Sequence, residues 1–128
     1  MEINILIVDD EESIRDLLIR IFSGEGYKVK SVETAEKALE VLKDENYQIF
    51  FIDIQLPGMN GLELCRTIRK DNHTAILFAM TGYSSVFQLV EARQVGFDDY
   101  FEKPFSLKLI LKATEEASER LLRWRRGK

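Results

Sequence analysis

Short apolar runs and segments of helical periodicity alternate five times along this chain. The first run, Ile3 to Val8, is followed by Ile14, Leu17, Leu18 and Ile21 at helical i, i+3, i+4, i+7 spacing, with Gly24 placed to stop that helix. Tyr27 to Val32 predicts a short second strand. Thr34 is placed to cap a helix striped by Ala35, Ala38, Leu39 and Leu42, and Gln48 to Ile52 predicts a third strand. Asn60 has Glu63 three residues on, the spacing of a capping box, ahead of a helix carrying Leu62, Cys65 and Ile68. Ala75 to Met80 is the fourth apolar run. Ser84 or Ser85 opens a helix bearing Val86, Leu89 and Val90 that Gly96 can terminate, and Asp99 to Glu102 is the shortest strand. Ser106 then caps a last helix, whose stripe of Leu107, Ile110, Leu111, Thr114, Ala117 and Leu121 should lie against the sheet.

Strands alternating with helices imply parallel pairing through right-handed crossovers, hence a doubly wound α/β sheet covered on both faces. Near-continuous apolar strands agree with burial on two sides. In such sheets ligands bind beyond the carboxyl ends of the strands, where strand order reverses. The polar residues that interrupt the runs stand at those ends: Asp9 and Asp10 after the first, Asp53 after the third, Thr81 after the fourth and Lys103 after the fifth. Two carboxylate sites, a hydroxyl and an ammonium suit binding of a divalent cation and acceptance of a phosphoryl group on a carboxylate.

Size and charge narrow the field. A chain of 128 residues, 45% hydrophobic, has room for one domain that buries roughly two-thirds of its unfolded surface. A net charge of −4 and a pI near 5.1 argue against a general nucleic-acid binder. Arg120, Arg123, Arg125, Arg126 and Lys128 gather at the other end, where cations stabilise a helix C-terminus; residues 1–124 are expected to form the domain and 125–128 a basic tail. Trp124 near that end can pack locally or meet a partner. The lone cysteine, Cys65, excludes an internal disulfide and reads as a buried small hydrophobe. No run approaches the ~18 to 20 apolar residues of a membrane span, and no secretory signal is present, so a soluble cytoplasmic protein without direct membrane or nucleic-acid contact is expected.

Each polar group also has a plainer reading. Asp9-Asp10-Glu11-Glu12 are acids at a helix start, each offsetting the macrodipole by ~0.3 to 1 kcal/mol. Asp53 suits an Asx turn before Pro57-Gly58, Thr81 a strand-to-helix cap, and Lys103 an exposed lysine. His73, the sole histidine, lies in a polar turn and reads as a surface residue.

Val8-Asp9-Asp10-Glu11, the stretch Asp53-Ile54-Gln55-Leu56-Pro57-Gly58-Met59-Asn60-Gly61, Met80-Thr81-Gly82, and Gly96 through Phe105 with Lys103-Pro104 resemble, in order and spacing, the receiver domain of two-component response regulators. The resemblance covers nearly the whole chain. It implies the (βα)5 flavodoxin-like strand order 2-1-3-4-5, which brings Asp9, Asp10 and Asp53 together. Like charges at 4 Å repel by ~4 kcal/mol at an effective dielectric near 20, so such a cluster needs a raised pKa or a cation. All-oxygen ligation favours Mg²⁺, with Mn²⁺ as a substitute, over zinc.

By the same resemblance, Asp53 is the phosphoryl acceptor. Asp10 and Asp53 ligate the metal, Asp9 acts mainly through water, and the backbone carbonyl of Gln55 completes the set. Thr81, Gly82 and Lys103 meet phosphoryl oxygens, and Lys103-Pro104 is a cis peptide. Thr81 and Tyr100 are the switch pair that reshapes the face formed by the fourth helix, fifth strand and fifth helix. Gln55 and Tyr83 flank the acceptor and are expected to govern phosphoryl lifetime. The implied partners are a histidine kinase or phosphotransfer protein and a downstream output domain or protein, with a homodimer possible on phosphorylation; the domain catalyses only its own phosphorylation and dephosphorylation. Rivals fit less well. A haloacid-dehalogenase-like phosphatase wants Asp-x-Asp after the first strand, whereas here the acids are adjacent; a flavodoxin wants a phosphate loop where Asp9 to Glu12 would repel one. A receiver-like module without chemistry has no need of the full set of Asp9, Asp10, Asp53, Thr81 and Lys103.

Overall fold

The computed structural model describes residues 2–82 and 85–126. Ten elements alternate along it: β1 (Asn4–Val8), α1 (Glu12–Gly24), β2 (Lys28–Val32), α2 (Ala35–Val41), β3 (Ile49–Asp53), α3 (Gly61–Asp71), β4 (Ile76–Thr81), α4 (Val86–Val95), β5 (Asp99–Glu102) and α5 (Leu107–Arg126). All four strand pairings are parallel, in the order β2-β1-β3-β4-β5. The expected doubly wound (βα)5 fold is therefore the observed one.

Inside the apolar runs the period-2 alternation of a strand sorts residues between two cores. Leu6, Val8, Phe50, Ile52, Leu77 and Ala79 face α2, α3 and α4, packing on Ala38, Leu64, Cys65, Ile68 and Ala92. Their neighbours Ile5, Ile7, Ile49, Phe51, Ile76, Phe78 and Met80 face α1 and α5, packing on Leu18, Phe22, Ile110, Ala117 and Leu121. On that second face the rings of Phe22, Phe51 and Phe78 contact in series at 5.2 and 4.9 Å, and Phe101 adds a ring 5.5 Å from Phe78. Each buried Phe of this kind contributes ~1.5 to 3 kcal/mol. The outer strands β2 and β5 carry charged residues, as edge strands do.

The caps are local and follow the expected residues. Thr34 and Ser85 each accept the backbone N–H three residues on, Asn60 and Glu63 form the reciprocal capping box, and Ser106 Oγ accepts from Leu109 N. Ser84 lies outside the described residues. Gly96 ends α4 in the left-handed region. Lys103-Pro104 is cis. Cys65 is buried, its thiol pushed up to about 12 chiefly by burial.

One helix end differs from expectation. Gly24 does not stop α1: it is the last helical residue, and the left-handed turn falls at Gly26 (φ 86°), which lets Tyr27 N reach back to Phe22 O. The α4 residues Val86 and Val90 lie largely uncovered. Val86 is 80% and Val90 50% exposed, Phe87 is 75% exposed, and Ala92 is the helix's buried residue. The helix touches the fold mainly through its last turn against α3, where Cys65 Sγ donates to Val95 O. On α5, Ile110, Thr114, Ala117 and Leu121 are buried as expected, whereas Leu107 is partly exposed. Among the described residues no helix is long and apolar enough to cross a membrane.

Candidate functional site

β1 and β3 are neighbours although β2 follows β1 in sequence, so the crossovers leave in opposite directions and open a crevice at their carboxyl ends. Asp9 and Asp53 sit there, with exposures of 0% and 4%. Each is fixed by an Asx turn. Glu11 N donates to Asp9 Oδ1 at 2.8 Å and Gln55 N to Asp53 Oδ1 at 2.9 Å. With one oxygen occupied locally, each residue turns the other, Oδ2, toward the crevice. Asp10 is exposed at its rim, and Asp9, Asp10 and Asp53 each offer an oxygen within 4.8 Å of the others.

Lys103, just past β5, is held by its own N–H donating to Thr81 O at 2.8 Å. Its ammonium reaches three carboxylates: Glu11 Oε1 at 2.8 Å, Asp9 Oδ2 at 2.9 Å and Asp53 Oδ2 at 3.2 Å. Burial alone would lower the lysine pKa, but the hydrogen bond to Glu11 and the close negative charges of Asp9 and Asp53 outweigh it and hold the pKa above the ordinary value. Burial pushes the Asp9 carboxyl up, and the nearby Asp53 charge acts the same way, while Lys103 and the Glu11 N–H oppose them. Asp9 Oδ2 has an ion-pair contact but no partner in hydrogen-bond geometry.

One ammonium faces an acidic group with an under-coordinated buried oxygen, and the set is all oxygen. That donor chemistry fits a hard divalent cation. Thr81 is fully buried at the end of β4, and a methyl placed on the exposed Gly82 would meet open space. Gln55 is exposed beside Asp53, and Tyr100 lies on β5, paired with Ala79 and 38% exposed. Tyr83 lies outside the described residues. Asp9, Asp10, Asp53 and Lys103 thus come from three strand ends to one crevice, and Thr81 and Gly82 stand at the end of β4 between them.

Sequence reasoning overlooked two neighbours. Glu11 joins Lys103 across 92 residues, and Arg15 Nη1 donates to Asp9 O at 2.9 Å. The first has no local signal, because it depends on how distant segments are brought together; the second spans six residues and is set by the turn from β1 into α1. His73 is exposed, as expected. A separate cavity of about 730 Å³, lined by residues including Ala75, Asp98, Leu121 and Trp124, adjoins the amino end of β4, the opposite end from the acids.

The sequence profile of the response regulator receiver domain matches residues 5–115. The chain is 39% identical over 106 residues to the uncharacterized transcriptional regulatory protein YrkP of Bacillus subtilis, covering 83% of this chain and 45% of that protein. It is 32% identical over 111 residues to the response regulator MprA of Mycolicibacterium vanbaalenii, covering 87% and 48%. The chain thus spans about half the length of these curated relatives. A CheY-like receiver domain from Methanospirillum hungatei superposes with a TM-score of 0.88 at 32% identity, covering 96% of this chain and 99% of that one. Strand order, the convergent acids and the match over residues 5–115 agree: the chain belongs to the receiver-domain family of two-component response regulators.

Proposed function

We propose that this receiver accepts a phosphoryl group on Asp53 from a histidine kinase or phosphotransfer protein and passes the change to an output domain or partner. The observation that carries this reading is the convergence of Asp9, Asp10 and Asp53 at the strand ends, where Asp9 and Asp53 also meet the Lys103 ammonium. Asp53 is the nucleophile: Oδ1 is pinned by Gln55 N, and Oδ2 faces the crevice. The carboxylate needs no general base, and a loose transition state rewards positioning above covalent chemistry. Lys103 moves from the carboxylate to a phosphoryl oxygen, and Thr81 and the Gly82 N–H receive the others. Asp10, Asp53 and the Gln55 carbonyl, with Asp9 through water, would hold Mg²⁺ or Mn²⁺, which supplies neutralisation of the incoming charge. The location in this reading is the cytoplasm.

The acyl phosphate carries close to two negative charges and strong acceptors in place of one carboxylate, which gives Thr81 a reason to move toward it. The readout is a population shift on the α4–β5–α5 face, with Tyr100 turning inward. Val86, Phe87 and Val90 already stand exposed there. That apolar surface suits a partner or a second receiver on phosphorylation. Gln55 and Tyr83 set the lifetime, and Tyr83→Ala should shorten it.

The test is incubation with acetyl phosphate and Mg²⁺ followed by intact mass. A labile adduct of one phosphoryl group, absent from Asp53→Asn, supports the reading. Steady phosphate release from unrelated esters supports a phosphatase instead, and no adduct at all sinks the proposal.

A further inference from the structure

Glu11 occupies the N-cap position of α1, where a short polar side chain ordinarily accepts an N–H of the first turn. Its side chain makes no such bond. The carboxylate leaves its own helix and meets Lys103 at 2.8 Å, the shortest of the three ion pairs on that ammonium, while the pair with Asp53 is the longest at 3.2 Å. A lysine ammonium has three donors. Three carboxylates already surround it; a phosphoryl oxygen on Asp53 takes over the donor that Asp53 held, and Lys103 moves out to it only against the pull of the two carboxylates that remain.

The three are not equally able to let go. Asp9 Oδ2 is buried with no other polar partner, so losing Lys103 strands a charge in the interior. Asp53 is the acceptor itself. The Glu11 side chain is 56% exposed, and water solvates it at small cost once the contact opens. We propose that Glu11 is a positioning residue that holds Lys103 in reserve in the unphosphorylated state and competes with the phosphoryl group for it. This rests on Asp53 being the phosphoacceptor.

In the test reaction an Asp53 carboxylate oxygen forms the O–P bond as the P–O bond of acetyl phosphate breaks, its electron pair leaving with acetate. With the competitor removed, Glu11→Gln should form the adduct roughly two- to fivefold faster than wild type, the range set by one largely solvated ion pair. Glu11→Asp keeps the charge but shortens the reach by one methylene, and should show the same gain. Glu12→Gln removes an equal charge one residue on and should show markedly less. In a Lys103→Met background the Glu11→Gln ratio should fall to one. Beryllofluoride, a phosphoryl analogue that binds without chemistry, should bind Glu11→Gln tighter by a similar factor.

A Glu11→Gln rate equal to or below wild type, a Glu12→Gln gain of the same size, or a gain that survives loss of Lys103 would each overturn the role of Glu11. If wild type forms the adduct and these variants do not differ, only this inference fails. If wild type forms none, the phosphoacceptor reading fails and takes this one with it.

Discussion

Replacing Gly61 by alanine should damage the fold and the site together, because the atom it adds points at the backbone of Asp53, the proposed phosphoacceptor. A Cβ at Gly61 would lie 2.2 Å from Asp53 O, 2.8 Å from Ile54 Cα and 2.9 Å from Asp53 C. The first distance falls short of ordinary contact by roughly 1.2 Å, and what it meets is strand backbone rather than a flexible side chain. Either α3 lifts away from β3 or the end of β3 moves. Both weaken the bond from Gly61 N to Ile54 O, now 2.9 Å. Overpacking of this kind costs ~1 to 3 kcal/mol and the strained bond about 1 more, so a loss of about 3 kcal/mol is expected. With a urea slope near ~2 kcal/mol/M, the midpoint should fall by about 1.5 M.

Gly24→Ala supplies the contrast within the same molecule. No atom lies within 4 Å of a Cβ placed there, and φ is not positive, so helix propensity alone acts and the midpoint should rise slightly, by up to ~0.5 M. Phosphorylation should separate the pair too, with adduct formation slowed in Gly61→Ala and unchanged in Gly24→Ala. A Gly61→Ala midpoint within about 0.3 M of wild type would refute the reasoning, since it would mean that the two elements part without cost.

Further outcomes follow from other parts of the structure. Arg69, on α3, donates to Gly96 O through two nitrogens, at 2.9 and 2.7 Å, and to Asp98 Oδ2 at 2.8 Å, with its side chain only 19% exposed. Arg69→Met should cost roughly 2 to 4 kcal/mol by urea denaturation, because charge-assisted bonds are lost and Asp98 loses its main cation; a loss below about 0.5 would show the clamp to be idle. Mg²⁺ at ten times its dissociation constant should stabilise the domain by about 1.4 kcal/mol in thermal melts, with a smaller gain in Asp10→Asn. Equal gains in both would remove Asp10 from the site. Cys65 should resist alkylation at neutral pH until the domain unfolds. Its folded pKa is raised, so its stabilising contribution is complete below the unfolded thiol value and erodes as pH rises toward about 12. Alkylation of the native protein that tracks pH near 9 would contradict this.

Much of the design lies in short-range patterns that a linear reading reaches. Apolar runs buried on both faces, helical stripes between them, and capping groups such as Thr34 and the Asn60–Glu63 box are local, and each side chain does there what its neighbours in sequence imply. Polar residues at run ends marked the functional rim for the same reason, since a carboxylate that stops a buried strand has no place inside it. Position alone did not reveal exposure. Val86 and Val90 have the spacing of a core stripe, yet whether that stripe is covered depends on the packing of α4 against α3, and the fold leaves it bare. Nor does any local rule say that Glu11 forgoes its cap for Lys103, or that Gly61 must be bare because the carbonyl of Asp53 passes against it. Local preferences act over a few residues along the chain. The charge pairing, the close backbone approach and the uncovered apolar face arise between segments far apart in sequence, and only the assembled sheet and helices bring those segments within reach.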